Sequence, residues 1–554
     1  MLKKLLQKLL LKNTSVADME PYVYNSRIDD ILKKTGKIAR KTLEKVSPAE
    51  RKKIIYFIGY HHSKFASLID VVHMLALQLR GAEIIVVRSS YFFQQEDIIF
   101  GGAYNKDRFE LQYKLYTDEG KIFSYILQTQ VIEIGAFLSS SDLKFAEDFA
   151  NNCNYEGWES ITYDGFSVGE MAYHAICNTN NVNIPDNSTE TVRQFKAHLR
   201  NCVALSIASQ KLLTTIQADT VVSNVPFYYL WRIPFLRSQM LNIPFYSYML
   251  SERPNSFFWT NNSEKFCDSS KNWQSFKKSY TISEDILHVL NKKIHDKLYG
   301  KNVSEKRINE IRELVKGRSA VLLPCNILSD AAVFQEKRSF DSCLEMIQSV
   351  IKWFSDNPQY FCILKAHPAE KLMIEFGMDT SFILLGSVLK KCDIELPENI
   401  CFVDYNEDVT VASLFGLVKG VIAYTSSVCM DAGFVGLPSV SVLESHYSVA
   451  DFSRNPSSRE DFFRLLENML KNEINDRESI IEETRKYFLL YYCIGSIDYN
   501  LIRGNDVNSV PFDILFDSVD QLLPGKSEAL DYVCDAILNN RSIFGVDRRP
   551  PITI

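Results

Sequence analysis

The sequence predicts an α/β protein with two doubly wound units, each built on a parallel sheet, and a helical tail. With 554 residues the chain is too long for one ordinary hydrophobic core. In two separate stretches, short apolar runs typical of buried parallel strands alternate with helical patterns. The end of the chain shows mostly helical patterns and no series of strands.

These patterns divide the chain into four segments. We expect a helical lead-in at residues 1–50 and a first unit with a helical insertion at residues 51–270. A second unit is expected at residues 271–471, and a helical tail that braces both units at residues 472–554. The polar stretch 260–272, rich in Asn, Ser and Lys, is the expected boundary between the units.

The elements follow in order along each unit. In the first unit the pattern predicts strands at residues 53–59, 83–88, 219–223 and 244–249. It predicts helices at residues 68–79 and 191–215. Residues 100–190 are less regular and predict inserted helices and loops. In the second unit, helices are predicted over residues 284–316 and 343–354, and strands at 320–324, 360–365, 400–404, 420–424 and 438–443.

The composition is that of a globular protein, with 46% apolar and 23% charged residues. The formal net charge of -6 argues against a general nucleic-acid binder, which would carry a strong basic excess. The 12 cysteines are scattered without a C-x-x-C pair, and several lie in apolar runs, as reduced cysteines do. We therefore expect a cytoplasmic protein.

The first twelve residues form a basic amphipathic pattern, with leucines at helical spacing, lysines and no acidic residue. The segment is too short to span a bilayer and lacks the small-residue cleavage site of a signal peptide. A basic amphipathic helix can lie on an anionic membrane surface, so one interpretation of residues 1–12 is a peripheral contact with the inner face of the cytoplasmic membrane. The alternative is a terminal helix that packs on the body of the protein.

Polar side chains end or follow two predicted strands of the second unit. Residues 365–368 read Lys-Ala-His-Pro, and residues 424–427 read Tyr-Thr-Ser-Ser. Open α/β sheets bind ligands at the carboxyl ends of their parallel strands. A lysine, an imidazole and paired hydroxyls at a helix start suit a phosphate-bearing ligand. A nucleotide-linked substrate is the first hypothesis.

His367 is the main candidate, because an imidazole can bond a phosphate or ribose oxygen, or exchange a proton near neutral pH. Lys365 before it and Glu370 after it favour a ligand site over a histidine that merely bonds a loop carbonyl.

Ser426 and Ser427 precede a predicted helix, where one hydroxyl can cap the helix while the other faces a ligand. Asp431 lies four residues beyond Ser427 on the same helix face, and it is a candidate for binding ribose hydroxyls.

Weaker candidates follow other strands. His61 and His62 come after the first strand, and at most one of two adjacent histidines is expected to face the site. Glu252 and Arg253 follow the strand at 244–249, where a carboxylate could act as a general base or the two could form an ordinary surface ion pair. His446 follows the strand at 438–443 and could line the same cleft.

Several motifs are absent from the sequence. It has no P-loop, no G-x-G-x-x-G after a strand and no H-E-x-x-H. It also lacks a D-x-D triplet that would hold a divalent metal against a sugar nucleotide. A site without metal or cofactor, based on helix dipole and basic residues, is therefore expected.

These segments resemble the bacterial glycosyltransferases of capsule and surface polysaccharide biosynthesis. The resemblance covers about residues 190–475, and the segments that carry it lie at 324–332, 353–358, 365–370, 424–438, 445–447 and 455–461. It implies a GT-B fold, in which two Rossmann-like domains face a cleft and bind mainly the acceptor and the nucleotide donor, respectively.

The resemblance also implies roles for particular residues. His367, Ser426 and Ser427 would hold the phosphates or nucleotide of the donor, whereas Glu252 or His61 would supply the base on the acceptor side. Two positions depart from the family pattern: Asp431 stands where relatives tend to have glutamate, and Ser329 where a tryptophan is expected.

The function so predicted is transfer of a sugar from a nucleotide-sugar donor to an oligosaccharide or lipid-linked glycan of the cell surface. One alternative is a polyol-phosphate transferase of the CDP-glycerol type, which product phosphate content would distinguish. The other is a catalytically silent GT-B scaffold, which would not hydrolyse a sugar nucleotide.

Overall fold

The structure is a computed structural model that describes residues 26–59, 64–90, 123–124, 126–127, 129, 131–180, 185–224, 226–265, 269–328, 339–375, 384–474, 476–504 and 512–543. The amphipathic segment 1–12, His61, His62 and Ser329 lie outside the described residues. No helix among the described ranges has the length and apolar character needed to cross a bilayer.

The described residues of the first unit form six strands and six α-helices. The strands are β1 (Lys53–Gly59), β2 (Glu83–Arg88), β3 (Val131–Glu133), β4 (Thr220–Asn224), β5 (Phe245–Leu250) and β6 (Ser256–Asn261). The helices are α1 (Ser26–Glu44), α2 (Lys64–Gln78), α3 (Ser140–Asn152), α4 (Val168–Asn180), α5 (Thr189–Ile216) and α6 (Tyr229–Met240).

Six further strands lie in the part of the second unit that the structure describes. These are β7 (Ser319–Pro324), β8 (Tyr360–Lys365), β9 (Ile400–Val403), β10 (Val421–Ala423), β11 (Ser439–Ser441) and β12 (Ser453–Arg454). Its helices are α7 (Ser270–Ser279), α8 (Glu284–Tyr299), α9 (Glu305–Val315), α10 (Cys343–Asp356), α11 (Glu370–Glu375), α12 (Leu385–Lys391), α13 (Val411–Leu414), α14 (Val428–Phe434) and α15 (Arg459–Leu470).

The tail contains α16 (Arg477–Phe488), a π-helical segment (Leu489–Gly495), β13 (Ser496–Asp498), the pair β14 (Ile502–Arg503) and β15 (Asp513–Ile514), and α17 (Glu528–Asn539). The tail was predicted to be mostly helical without a series of strands. It contains short strands as well as helices, and β13 pairs antiparallel with β6 and extends the first sheet. Hydroxyl contacts of 2.6 to 2.7 Å among Ser251, Ser256 and Ser496 accompany this pairing.

The first sheet has the order β13-β6-β5-β4-β1-β2-β3, with β1 to β5 parallel to one another. Side chains alternate between its two faces, as the pleat of a strand requires. Tyr56 points towards a core that includes α2 and α17, whereas Phe57 points towards a core that includes α5 and α6. The sheet is therefore covered on both faces, which explains why its central strands are continuous apolar runs.

The second sheet is parallel throughout, with the order β12-β11-β10-β7-β8-β9. Leu322 and Leu323 on β7 belong to different cores, on opposite faces of the sheet. The chain builds the sheet outward from β7 in two directions, first through β8 and β9 and then through β10 to β12. The reversal between β7 and β10 is the topological switch point, where a crevice forms at the carboxyl ends of the strands.

Most predicted strands lie within one or two residues of the observed ones. Two strands described in the first unit were not predicted. β3 lies in the stretch 100–190, where helices and loops were expected, and the expected boundary at 260–272 begins inside β6. A further difference is that β6 runs antiparallel to β5.

Candidate functional site

The carboxyl edge of the second sheet brings the loops after β7 and β10 together at the switch point. The backbone N–H of Thr425, after β10, donates a hydrogen bond of 3.4 Å to the side-chain oxygen of Asn326, after β7. Asn326 was not among the residues singled out from sequence, although it too is a polar residue that follows a predicted strand. This contact ties the two loops that border the crevice.

Lys365, the last residue of β8, is 4% exposed. Within the described part of the chain, no hydrogen bond or ion pair is found for its ammonium group. Burial lowers the pKa of Lys365, while the nearby carboxylates of Glu407 and Glu370 oppose that shift. A buried cation without a bonded partner at a sheet edge is suited to an anionic ligand.

His367 and Glu370 lie on the same turn after β8. The Nδ1 atom of His367 accepts a hydrogen bond of 3.1 Å from the backbone N–H of Ala369, so in the neutral ring Nε2 carries the proton. Glu370 begins α11 and is 1% exposed, and one of its carboxyl oxygens is buried without a hydrogen bond. Burial raises the pKa of Glu370 to about 7. This turn therefore offers a donor in His367 and a proton-exchanging group in Glu370.

The two serines after β10 have different roles at the start of α14. The hydroxyl of Ser426 accepts a hydrogen bond of 3.2 Å from the N–H of Val428 and thereby caps the helix. Ser427 is exposed, and its side chain makes no capping bond. The Ser426 hydroxyl thus caps the helix and the Ser427 side chain is exposed, whereas a ligand contact of Ser427 stays a prediction.

Glu252 and Asp431 reach the same lysine from opposite units. The Nζ atom of Lys297, on α8, lies 3.0 Å from Asp431 Oδ1 and 3.6 Å from Glu252 Oε2. Burial tends to lower the pKa of Lys297, but the two carboxylates outweigh it and the pKa is raised. For Asp431 burial dominates and raises the pKa, although Lys297 opposes this shift. The carboxyl edges of the two sheets thus meet at a cluster of three charges.

Aromatic residues of the tail complete this cluster. The Tyr491 hydroxyl donates a hydrogen bond of 3.3 Å to Glu252 Oε1. The His446 ring stacks on Tyr491 with 4.3 Å between ring centres, and its Nδ1 lies 3.1 Å from the Tyr487 hydroxyl. Burial, with a smaller effect of Lys297, lowers the pKa of His446 to about 3, so the ring is neutral near pH 7. His446 therefore lies beside the cluster as an uncharged wall.

Arg253 does not share this arrangement. Its side chain is buried and faces Asp498 on β13, with 3.7 Å between Nη2 and Oδ2. The suggested surface ion pair between Glu252 and Arg253 is therefore not formed. Each residue pairs with a different part of the chain instead.

Besides Asn326, sequence reasoning missed Lys297 and Tyr491 as members of the site. Lys297 is one of several lysines on α8, and Tyr491 stands in an apolar run, so neither has a distinguishing local pattern. Among the described residues, no group of three or more His, Cys, Asp or Glu side chains could hold a metal ion.

The topology defines an α/β protein with two Rossmann-like units, in which Lys297 pairs with a residue that follows β5 and a residue that follows β10. No protein-family model and no curated protein matches the chain.

Three solved structures show weak similarity. UDP-GlcNAc 2-epimerase from Neisseria meningitidis bound to UDP-GlcNAc is 8% identical, with 79% of this chain and 99% of that chain covered and a TM-score of 0.24. KpsC from Thermosulfurimonas dismutans, a beta Kdo 2,4 transferase, is 11% identical, with 55% of this chain and 87% of that chain covered and a TM-score of 0.29. The calicheamicin glycosyltransferase CalG4 is 12% identical, with 79% of this chain and 94% of that chain covered and a TM-score of 0.24. Similarity at this level assigns neither a family nor an activity.

Proposed function

We propose that the protein is a metal-independent glycosyltransferase that moves a sugar from a nucleotide donor to a growing capsular or other surface glycan. The observation that carries the proposal is the meeting of the two sheet edges at Glu252, Lys297 and Asp431. An acceptor-side carboxylate and a donor-side polar edge then face one another, as transfer between two bound substrates requires.

On the donor side, the buried ammonium of Lys365 and the Nε2–H of His367 would bind phosphate oxygens. The exposed Ser427 hydroxyl would add a hydrogen bond, and Asp431 would bind ribose hydroxyls. Charge develops on the departing phosphate in the transition state, so donors fixed beforehand at this edge would lower the barrier.

On the acceptor side, Glu252 would accept the proton of the attacking hydroxyl. Its side chain retains 40% exposure, so an acceptor can reach the carboxylate despite its contacts with Lys297 and Tyr491. His61 remains the other proposed base, and His62 and Arg253 remain proposed only as cleft residues.

A thermal-shift panel of CMP, CDP, UDP, GDP and ADP tests the donor site. We expect one nucleotide to stabilise the wild-type protein and not the His367→Ala variant. A ligand at one hundred times its dissociation constant contributes about 2.7 kcal/mol, which raises the melting temperature by a few degrees. His295→Ala is the matched control, because His295 is an exposed histidine on α8.

The outcomes distinguish the hypotheses. If the control keeps the shift and His367→Ala loses it, the nucleotide names the donor class. If no nucleotide stabilises the protein, the donor site is contradicted and the scaffold hypothesis gains weight. Phosphate retained in the polymeric product would instead indicate the polyol-phosphate transferase.

A further inference from the structure

Lys297 is the sole described cation that pairs with carboxylates from both sheet edges. Its ammonium contacts Asp431 at the start of α14 and Glu252 after β5. The second oxygen of Glu252 accepts a hydrogen bond from the Tyr491 hydroxyl, so one oxygen of this carboxylate contacts Lys297 and the other contacts Tyr491. A side chain held at both oxygens has few orientations left.

The charges of the cluster do not cancel. Two carboxylates share one ammonium, so the cluster carries an excess negative charge when all three groups are ionised. The side chains of Lys297 and Asp431 are 27% and 13% exposed, so their attraction is only partly screened by water. Without the lysine, the two carboxylates would repel each other across the junction between the units.

We propose that Lys297 is a positioning residue for glycosyl transfer, which fixes Glu252 of the first unit beside the donor-side residue Asp431. The inference rests on the proposed function. In the reaction, the proton of the acceptor hydroxyl passes to Glu252 while the acceptor oxygen bonds to the anomeric carbon. The bond from that carbon to the phosphate oxygen breaks, and its electron pair leaves with the nucleotide. Lys297 itself touches no substrate.

The other groups that face the cluster are uncharged near neutral pH or are directed elsewhere. His446 and Tyr491 form one wall and are neutral, and the Phe488 ring lies 5.9 Å from the Lys297 ammonium. Lys293, one turn earlier on α8, lies over the Tyr492 ring at 5.4 Å. Among the described residues, the charge of the cluster is therefore that of Lys297 and the two carboxylates. A separate ion pair, Lys265 with Glu444 at 3.3 Å, also joins the two units.

The first test needs no catalysis. Thermal unfolding is measured for the wild type, Lys297→Met, Glu252→Gln and the double variant, with Lys292→Met as the control on an exposed position of α8. We expect each single variant to lower the unfolding midpoint and the double variant to lose less than the two losses added together. Strictly additive losses would show that the two side chains do not interact, and would overturn the proposal.

The second test separates positioning from mere packing. The kcat and KM of hydrolysis are measured for the sugar derivative of whichever nucleotide the panel selects, with water as acceptor. Without the cation, Glu252 loses its contact with Lys297 and is no longer fixed beside Asp431, so kcat should fall about tenfold in Lys297→Met. KM should stay within twofold, and Lys297→Arg should recover most of the rate.

Three further results would overturn the inference. An unchanged kcat in Lys297→Met, with the wild type active, contradicts the positioning role and leaves the glycosyltransferase proposal intact. A loss confined to KM would make Lys297 a substrate-binding residue instead. If the wild type binds no nucleotide and hydrolyses no sugar nucleotide, the proposed function fails, and the role of Lys297 in transfer fails with it.

Discussion

Gly433 lies directly against Thr484, so that α14, which bears Asp431, packs without a gap on α16 of the tail. A Cβ atom at residue 433 would come within 2.3 Å of the Thr484 hydroxyl oxygen. Thr484 is fully buried, and its hydroxyl donates to the Ile480 carbonyl at 2.6 Å, so it has no space to move. The position of α14 thus depends on a glycine that allows close approach.

Gly433→Ala should therefore destabilise the protein by about 1–3 kcal/mol, as overpacking of a tight core does. Gly416→Ala is the control, because a Cβ at residue 416 meets nothing within 4 Å. Urea unfolding of both variants measures the difference. Equal stability of the two variants would contradict the tight packing of α14 on α16.

The tail also docks on the first unit through Tyr246. The hydroxyl of this fully buried residue on β5 lies 2.8 Å from each of the carbonyl oxygens of Ala536 and Arg541, at the end of α17. Tyr246→Phe should cost about 0.5–1.5 kcal/mol, because the hydrogen bond is lost and buried carbonyl groups lose a partner. The free energy of unfolding checks this value, and proteolysis within residues 512–543 should become faster.

Tyr299→Phe, which alters an exposed tyrosine on α8, serves as the control for that experiment. If Tyr246→Phe and Tyr299→Phe unfold and digest alike, the hydroxyl of Tyr246 does not hold the tail.

Sequence reasoning predicted the strands that are fully buried within a parallel sheet. Residues 83–88 and 360–365 are apolar runs because helices cover both faces of their sheets. By contrast, β13 has only three residues, and it is a strand because it pairs with β6, which lies more than two hundred residues earlier. No local pattern encodes a pairing partner at that distance, which is why the tail seemed free of strands.

The sequence predicted only part of the candidate site, because here too a local pattern does not encode a distant partner. Glu252 and Asp431 each follow a strand and carry a recognisable side chain, so sequence position alone singled them out. Their common partner does not follow a strand. Lys297 differs from Lys292 and Lys293 only in the face of α8 that it occupies, and that face is selected by the packing of α8 between the units.

Asp70 makes the stability of the first unit depend on pH. Its carboxylate is fully buried and accepts hydrogen bonds from the hydroxyls of Tyr56, at 2.8 Å, and Tyr248. Burial raises the pKa of Asp70 to about 7, despite these two bonds. A carboxyl group with a raised pKa stabilises the fold fully below its unfolded pKa of about 4 and loses that contribution as pH rises through 7.

Asp70→Asn should remove this dependence, because the amide does not titrate. The free energy of unfolding of the variant, relative to that of the wild type, should rise as pH increases from 5 to 8, by a few kcal/mol at most. Urea unfolding at several pH values in this range measures the gain, with Asp30→Asn, an exposed carboxylate on α1, as the control. A constant difference between Asp70→Asn and wild type over this range would show that Asp70 does not titrate there.

Substitution of Ser426 should affect stability and substitution of Ser427 should affect ligand binding, because of the two hydroxyls only that of Ser426 caps α14. Ser426→Ala is expected to lower the free energy of unfolding by about 1 kcal/mol through loss of the cap. Ser427→Ala removes an exposed hydroxyl without a capping bond, so stability should change by no more than about 0.5 kcal/mol. If that hydroxyl bonds a donor phosphate, its loss should weaken nucleotide binding about tenfold, since a hydrogen bond to a charged group contributes about 1.5–3 kcal/mol. Urea unfolding and calorimetric titration with the nucleotide chosen by the panel measure the two quantities, and unchanged affinity in Ser427→Ala would remove this serine from the donor site.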